Sequence, residues 1–378
     1  MIEPLSKIPG GMRYYFGAEA RLRRGVEDTI MAVFDGWSYE EITTPCVDYL
    51  ALFERGMGYE AAHRAFRFTD NDGLMLALRP DVTSSVARAA ATLFAEKPRP
   101  LRFCYASPVF HQRQLTHAEW RRENKQLGCE LIGVGGRGAE VETLSVAAEI
   151  LAALNLGGGD YRITINSVEI FSGISEHLTL DDAERERMRQ LVDTRDAAEL
   201  QKFLSHFDTD ERERIAFSRL TQLSGKGEIL EEARRIITNP RSLRALDELE
   251  SLWRIVRSLG LDEVCDIDLG DVSGLDYYTG LTFKIYVAGA GARVGGGGRY
   301  DNLTANFGRA EPAVGFVLDL DALTDVLMRK KGFAASEELA GANVRALHDN
   351  AAIEPSEILV DARRRRARGE RVLINYAG

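Results

Sequence analysis

The sequence predicts an α+β protein: a strand-rich domain with flanking helices, split by a helical insertion and followed by a short tail. Three observations carry this. Short alternating or apolar runs separated by turn signals fill two stretches, about 37–132 and about 265–320. Between them, from about His177 to Leu259, the chain is highly charged and its apolar residues take helical spacing. The 378 residues, 45% hydrophobic and 28% charged, exceed one ordinary domain and supply a sizeable core. The expected boundaries are a split domain of residues 1–175 and 261–330, an insertion of 176–260 and a tail of 331–378.

Leu22, Val26, Ile30 and Val33 recur at helical spacing and close on Gly36, which predicts a helix over 18–36. "WSYEEITTPCVDY" reads as an extended segment entering a turn at Pro45. "FRFTD" and "LMLALRP" flank "NDG" as a hairpin, and "SSVARAAATLF" resumes helical spacing after Pro80. "LRFCYASPVF" and "NKQLGCELIGV" make an antiparallel pair joined by a long polar loop from His111 to Glu123. Val141, Leu144, Ala148 and Leu151 share one face of a helix from about Ala139 to Leu154, and the strand "YRITINS" follows. In the insertion, "AAELQKFL" and "EILEEARRII" are helical, and Leu243, Leu246, Leu249, Leu252 and Val256 run from Pro240 to a stop at Gly260. Strand texture returns with "VCDIDLG", "LTFKIYV", a glycine run, and "AVGFVLDLDALTDVL", a strand running into a helix. The tail holds "ILV", the helix candidate "DARRRRARGE" and "VLINY", enough for one strand–helix–strand element; Arg363 to Arg366 read as a solvated face.

Composition excludes several classes. No uninterrupted apolar run reaches the roughly 18 residues of a membrane span, and "MIEPLSKIPGGMRYYF" lacks the regions of a signal peptide, so the chain is expected in the cytoplasm with no membrane partner. Cys46, Cys104, Cys129 and Cys265 lack CxxC or metal-ligand spacing and read as buried free thiols, with neither disulfide nor metal. A net charge of −10 argues against a nucleic-acid partner. His111 and His117 flank their loop without metal spacing and read as solvated.

Few segments carry chemistry. "LALRPDVTSSVAR" sets Asp81 and Thr83 just past a strand end, either to receive an amino group or to cap the following helix. In "KQLGCELIG", Gln126, Gly128 and Glu130 alternate onto one strand face. Glu130 in this apolar strand requires a partner or a ligand, since an unpaired buried carboxylate costs several kcal/mol. In "SGLDYYTG", Tyr277 and Tyr278 point to opposite faces, as pocket residues or as ordinary core and edge aromatics. "VGGGGRYDNL" has neither GxGxxG spacing nor the lysine and hydroxyl of a P-loop, so no nucleotide cofactor is expected; its glycines suit close approach of a ligand or another strand.

Taken in order, "GGMRYYF", "YEEITTPCVDY", "LALRPDVTSSVAR", "QLGCELIG", "GLDYYTGLTF" and "GGGGRYDNL" resemble the class II aminoacyl-tRNA synthetase core of histidyl-tRNA synthetases, from about Ile8 to Val326. The resemblance implies a six-stranded antiparallel sheet flanked by helices, dimerisation through the region around Pro45, and a histidine pocket at Asp81, Thr83, Gln126, Glu130, Tyr277 and Tyr278. Carboxylate and amide would meet the ammonium, and Glu130 with a tyrosine hydroxyl the two imidazole nitrogens.

The departures matter as much. Adenylation needs arginines against the phosphates, because charge building at phosphorus is stabilised electrostatically. Where the family has them, this chain has His111, Ser273 and Ala322, and Asp319 adds a negative charge; Arg113, from its loop, is a single substitute. The tail is too short for a full anticodon-binding domain. A core that keeps the amino-acid pocket and drops the rest is similar to the regulatory subunits of ATP phosphoribosyltransferase, synthetase paralogues without catalytic residues. That family implies a short-form catalytic subunit as partner, L-histidine as feedback ligand, and a homodimer within a hetero-octamer. The alternatives are a stand-alone histidine-binding or tRNA-mimic regulator of translation and an active synthetase, the latter opposed by the lost arginines.

Overall fold

The computed structural model describes residues 7–112, 121–176, 178–271, 278–341, 344–348 and 355–375. The chain forms two compact units, one of residues 1–13 and 23–326, the other of 14–22 and 327–378.

The elements alternate along the chain. Helix α1 (Gly17–Gly36) precedes β1 (Glu40–Glu41), β2 (Val47–Tyr49), α2 (Leu50–Met57), α3 (Tyr59–Ala62), β3 (Arg67–Thr69) and β4 (Met75–Leu78). Then come α4 (Thr83–Ala91), β5 (Leu101–Phe110), β6 (Glu123–Ile132), α5 (Arg137–Ala153), β7 (Tyr161–Ser167) and α6 (Val168–Ser175). A mainly helical stretch follows: α7 (Asp182–Asp193), α8 (Ala197–Leu204), α9 (Glu211–Leu220), β8 (Ser224–Gly225), α10 (Glu228–Ile236) and α11 (Pro240–Ser258). Strands return as β9 (Cys265–Asp268), β10 (Leu281–Val287), β11 (Gly295–Arg299) and β12 (Ala313–Asp319), the last entering α12 (Leu320–Gly341).

The central sheet has nine strands in the order β1-β5-β6-β12-β11-β10-β7-β9-β8. Its middle, from β5 to β7, is an antiparallel run of six strands. The short outer strands β1 and β9 add parallel pairings that a purely antiparallel expectation leaves out.

Strand alternation sorts this sheet into two faces. The register aligns Phe103, Glu130, Gly315, Gly298, Thr282 and Asn166 in one row across the front. The back is apolar: Leu127, Cys129, Leu131, Phe316, Phe283 and Ile165 are all buried there. Phe316 stands at the centre, with ring centroids 6.0 Å from both Phe34 of α1 and Phe283. Helix α5 was expected to bury one face, but Thr143, Leu144, Val146, Ala147, Ala148, Ile150 and Leu151 are all buried, because the helix is covered on more than one side. On the front, Val82, Val86 and Ala90 pack α4 onto Phe103, Tyr105 and Tyr300.

A second sheet, β2-β4-β3, stands beside the first. Ala77 is buried against Leu50 and Phe53, whereas the opposite face leaves Val47, Tyr49, Phe68 and neighbouring Leu74 exposed. Arg79, only 2% exposed, ties the two sheets: its guanidinium donates to the carbonyls of Thr44 at 2.7 Å and Pro108 at 2.6 Å. Of the four cysteines, Cys104, Cys129 and Cys265 are buried, but Cys46 is exposed.

In the second unit, β13 (Val344–His348) and β14 (Arg371–Asn375) pair in parallel, with α13 (Pro355–Ala367) supplying the crossover that parallel strands need. "ILV" is not the first strand; it lies in α13, where Ile358 and Ala362 are buried and Leu359 and Val360 exposed. Read in isolation, three apolar residues do not distinguish helix from strand.

Candidate functional site

Glu130 is the centre of the front face. It is 1% exposed, and both of its oxygens accept hydrogen bonds: Oε1 from the Tyr105 hydroxyl at 3.0 Å, Oε2 from that of Tyr300. Gly315 lies opposite on β12, and a Cβ there would stand 1.9 Å from Glu130 Oε2. Gly128, one alternation along, leaves space for the Tyr105 ring, which a Cβ would approach to 2.6 Å. Burial pushes the Glu130 pKa up to about 7, opposed by the hydroxyls of Tyr300, Thr83 and Tyr105 and reinforced by the Asp81 charge.

Asp81 and Thr83 stand at the start of α4, facing this carboxylate. Asp81 Oδ1 accepts from the Ser84 amide at 3.4 Å, the cap contact, and burial raises its pKa to about 6. The Thr83 hydroxyl lies 3.5 Å from that of Tyr105. Tyr278 is half-buried, its pKa pushed up to about 12 by burial, and its ring is what a Cβ on Gly298 would meet at 2.9 Å. The glycines of β11 therefore serve strand and ring packing: a Cβ on Gly297 would fall 2.1 Å from the Gly315 carbonyl. Tyr277 and Ser273 lie outside the described residues, as do Arg113, His117 and His177.

Gln126 is also on the front face, two residues from Gly128, and its buried Oε1 has no partner among the described residues. Asn124 Oδ1, Thr164 Oγ1 and Thr282 Oγ1, on the same face of β6, β7 and β10, are likewise buried without partners among the described residues. Unpaired buried polar atoms are costly, so their grouping marks a surface built to meet a polar ligand or water. Two carboxylates, several hydroxyls and an amide suit an ammonium group and a ring N–H better than an anion. Among the described residues, no three His, Cys, Asp or Glu side chains are grouped to hold a metal.

Beyond Gln126 the front face turns acidic and closed. Asp319 Oδ1 accepts from the Ala322 amide at 2.9 Å, capping α12, and its Oδ2 accepts from Asn124 Nδ2 at 3.2 Å. Burial raises its pKa to about 6, and neighbouring Asp321 adds to the rise. Asp321 accepts from Arg23 and from the Lys125 amide, Arg121 donates to Asp325 at 2.5 Å, and Lys125 pairs with Glu27 at 2.6 Å. These cations are committed to carboxylates of the chain itself. His111 is not a solvated loop residue: its amide donates to the Arg122 carbonyl at 2.9 Å, and burial with the nearby Arg64 charge holds its pKa below the usual value.

Sequence reasoning missed Tyr105 and Tyr300 as partners of Glu130, and Arg23, Arg121 and Lys125 as the cations of the acidic end. Tyr105 was within reach, because in antiparallel register it pairs with Gly128, beside Glu130.

A family model described as histidyl-tRNA synthetase matches residues 11–323. An ATP phosphoribosyltransferase regulatory subunit from Syntrophotalea carbinolica is 34% identical over 88% of this chain and 77% of that protein. A protein of the same description from Moorella thermoacetica is 33% identical over 98% of this chain and 92% of that one. A crystal structure described as an ATP phosphoribosyltransferase regulatory subunit/histidyl-tRNA synthetase from Bacillus halodurans superimposes with a TM-score of 0.84 at 25% identity, covering 98% of this chain and 93% of that one.

Proposed function

The chain belongs to the ATP phosphoribosyltransferase regulatory subunit family, built on the histidyl-tRNA synthetase fold, and from that premise we propose that it senses L-histidine and passes the signal to a short-form catalytic subunit. It works in the cytoplasm, as a homodimer within a hetero-octamer, and carries out no aminoacylation. The observation that carries this reading is the division of one sheet face into two ends. At one end Glu130, Asp81, Thr83 and the tyrosines suit an amino acid with an N–H-bearing side chain. At the other, Ala322 and His111 stand where the resemblance calls for arginines, and the start of α12 beside Ala322 carries the half-buried carboxylate of Asp319 and the buried one of Asp321. A triphosphate there would meet negative charge, which opposes adenylation.

Regulation then requires no chemistry in this chain. Histidine needs only to favour one conformation of the assembly, and a coupling of about 1–3 kcal/mol changes the partner's equilibrium about five- to 150-fold. Calorimetric titration of the purified chain with L-histidine, beside Glu130→Ala, tests the pocket. Saturable binding that the variant loses is expected. A wild-type chain that takes up no histidine, alone or with the catalytic subunit, defeats the sensor reading, and copurifying tRNA would favour a translational role.

A further inference from the structure

Helix α13 has two sides of opposite character. Ile358 and Ala362, one turn apart, are 7% and 2% exposed, and Asp361 and Arg365 on the same side are half-buried, so this is the side packed within its own unit. Leu359 and Val360 point the other way and are 47% and 53% exposed. One turn further on, Arg363 and Arg364 continue this outer face, and both are exposed, as are Arg366 and Arg368 beyond them.

Six arginines fall between residues 363 and 371 of a chain whose net charge is −10. Arg365 is neutralised, by Asp361 at 2.7 Å and Glu370 at 3.5 Å. Arg363, Arg364, Arg366 and Arg368 make no ion pair among the described residues, and Glu357, the helix's other carboxylate, stands in its first turn. The helix dipole favours cations in the last turn, so Arg364 and Arg366 alone would read as a solvated end. The dipole does not account for two adjoining aliphatic side chains left half in water one turn earlier. An apolar centre flanked by arginines is the composition of a protein interface.

The chemistry of this face selects its occupant. A nucleic acid would bring phosphates to the arginines but nothing apolar to Leu359 and Val360, against the repulsion of a chain of charge −10. A second copy meeting this face about a two-fold axis would set arginine against arginine. A different protein, with carboxylates around an apolar patch, satisfies both halves. We propose that the outer face of α13 docks the short-form catalytic subunit, with Leu359 and Val360 at the centre of the contact and Arg363 and Arg364 against an acidic rim on that partner. This rests on the partnership proposed above.

Mixing the full chain with the catalytic subunit, followed by light scattering and by titration at low and high salt, tests it. Two double variants are compared with the parent: Arg363→Glu with Arg364→Glu, and Leu359→Gln with Val360→Gln. All four positions are exposed on a helix and glutamate and glutamine are good helix formers, so folding is spared. The charge reversal should weaken association at least about tenfold at low salt and flatten its salt dependence. The apolar-to-polar pair should weaken it about fivefold at either salt. If the parent does not assemble with the catalytic subunit, the partnership itself fails and this proposal with it. If the parent assembles and both variants assemble equally well, only this proposal falls. Loss of homodimer mass in either variant, or RNA binding by the parent that the charge reversal abolishes, overturns it in favour of the other occupants.

Discussion

At Glu130, burial and hydrogen bonding pull proton affinity in opposite directions. Two tyrosine hydroxyls stabilise the ionised form, yet desolvation prevails and raises the pKa from 4.5 to about 7. Between those values the folded chain keeps a proton that the unfolded chain has released. The contribution to stability is complete below the unfolded pKa and is lost as pH rises through the folded one, on the order of 3 kcal/mol for a shift of this size. Asp81, raised from 3.8 to about 6, acts in the same sense. Denaturant titrations from about pH 5 to about pH 8 should therefore show the wild-type chain losing stability more steeply than Glu130→Gln; equal slopes would place the ionisation elsewhere. Glu130 was legible in the sequence because a carboxylate in an apolar strand demands an explanation. Tyr300 was not, since it meets Glu130 only through the pairing of β6, β12 and β11, which no local pattern encodes.

Among the elements, periodicity carried most of the information. Alternation identified β5 and β6 as a pair and helical spacing identified α1, because each buries one face against a partner. Strand β11 is a different case: four consecutive glycines have no side-chain alternation, and only the structure assigns each gap to a neighbouring backbone or ring. Gly315 of β12 is the strictest of these contacts, with the Cys129 carbonyl 2.4 Å from its Cβ position as well as the Glu130 carboxylate. Gly315→Ala should cost at least about 2 kcal/mol by denaturant titration, since backbone on one side and a buried carboxylate on the other leave a methyl no room. A variant as stable as the parent would mean that β6 and β12 separate easily.

For the whole molecule, the question is what covers the outer face of the small sheet. Val47, Tyr49, Phe68 and Leu74 are 38–51% exposed on neighbouring strands, a contiguous apolar surface of the kind that marks an interface. The homodimer proposed above would bury it. Tyr49→Lys combined with Phe68→Lys should convert a dimer to a monomer in light scattering after size exclusion, and an unchanged mass would assign dimerisation to another surface. The sequence indicated the region around Pro45 by resemblance alone; which side chains face outward depends on the pairing of β2, β4 and β3.

Arg79 gives this arrangement a mechanical property. A lysine in its place would be a single point charge on a flexible stem, but the planar fork of a guanidinium fixes orientation as well as distance. Carbonyls from the Thr44–Pro45 turn and from Pro108 grip it from different sides, like a pin set through two plates. Asp81 is only two residues further along. A ligand that drew on the Asp81 carboxylate would therefore act next to this joint, which holds the end of β4, the strand paired with the outward-facing Val47–Tyr49.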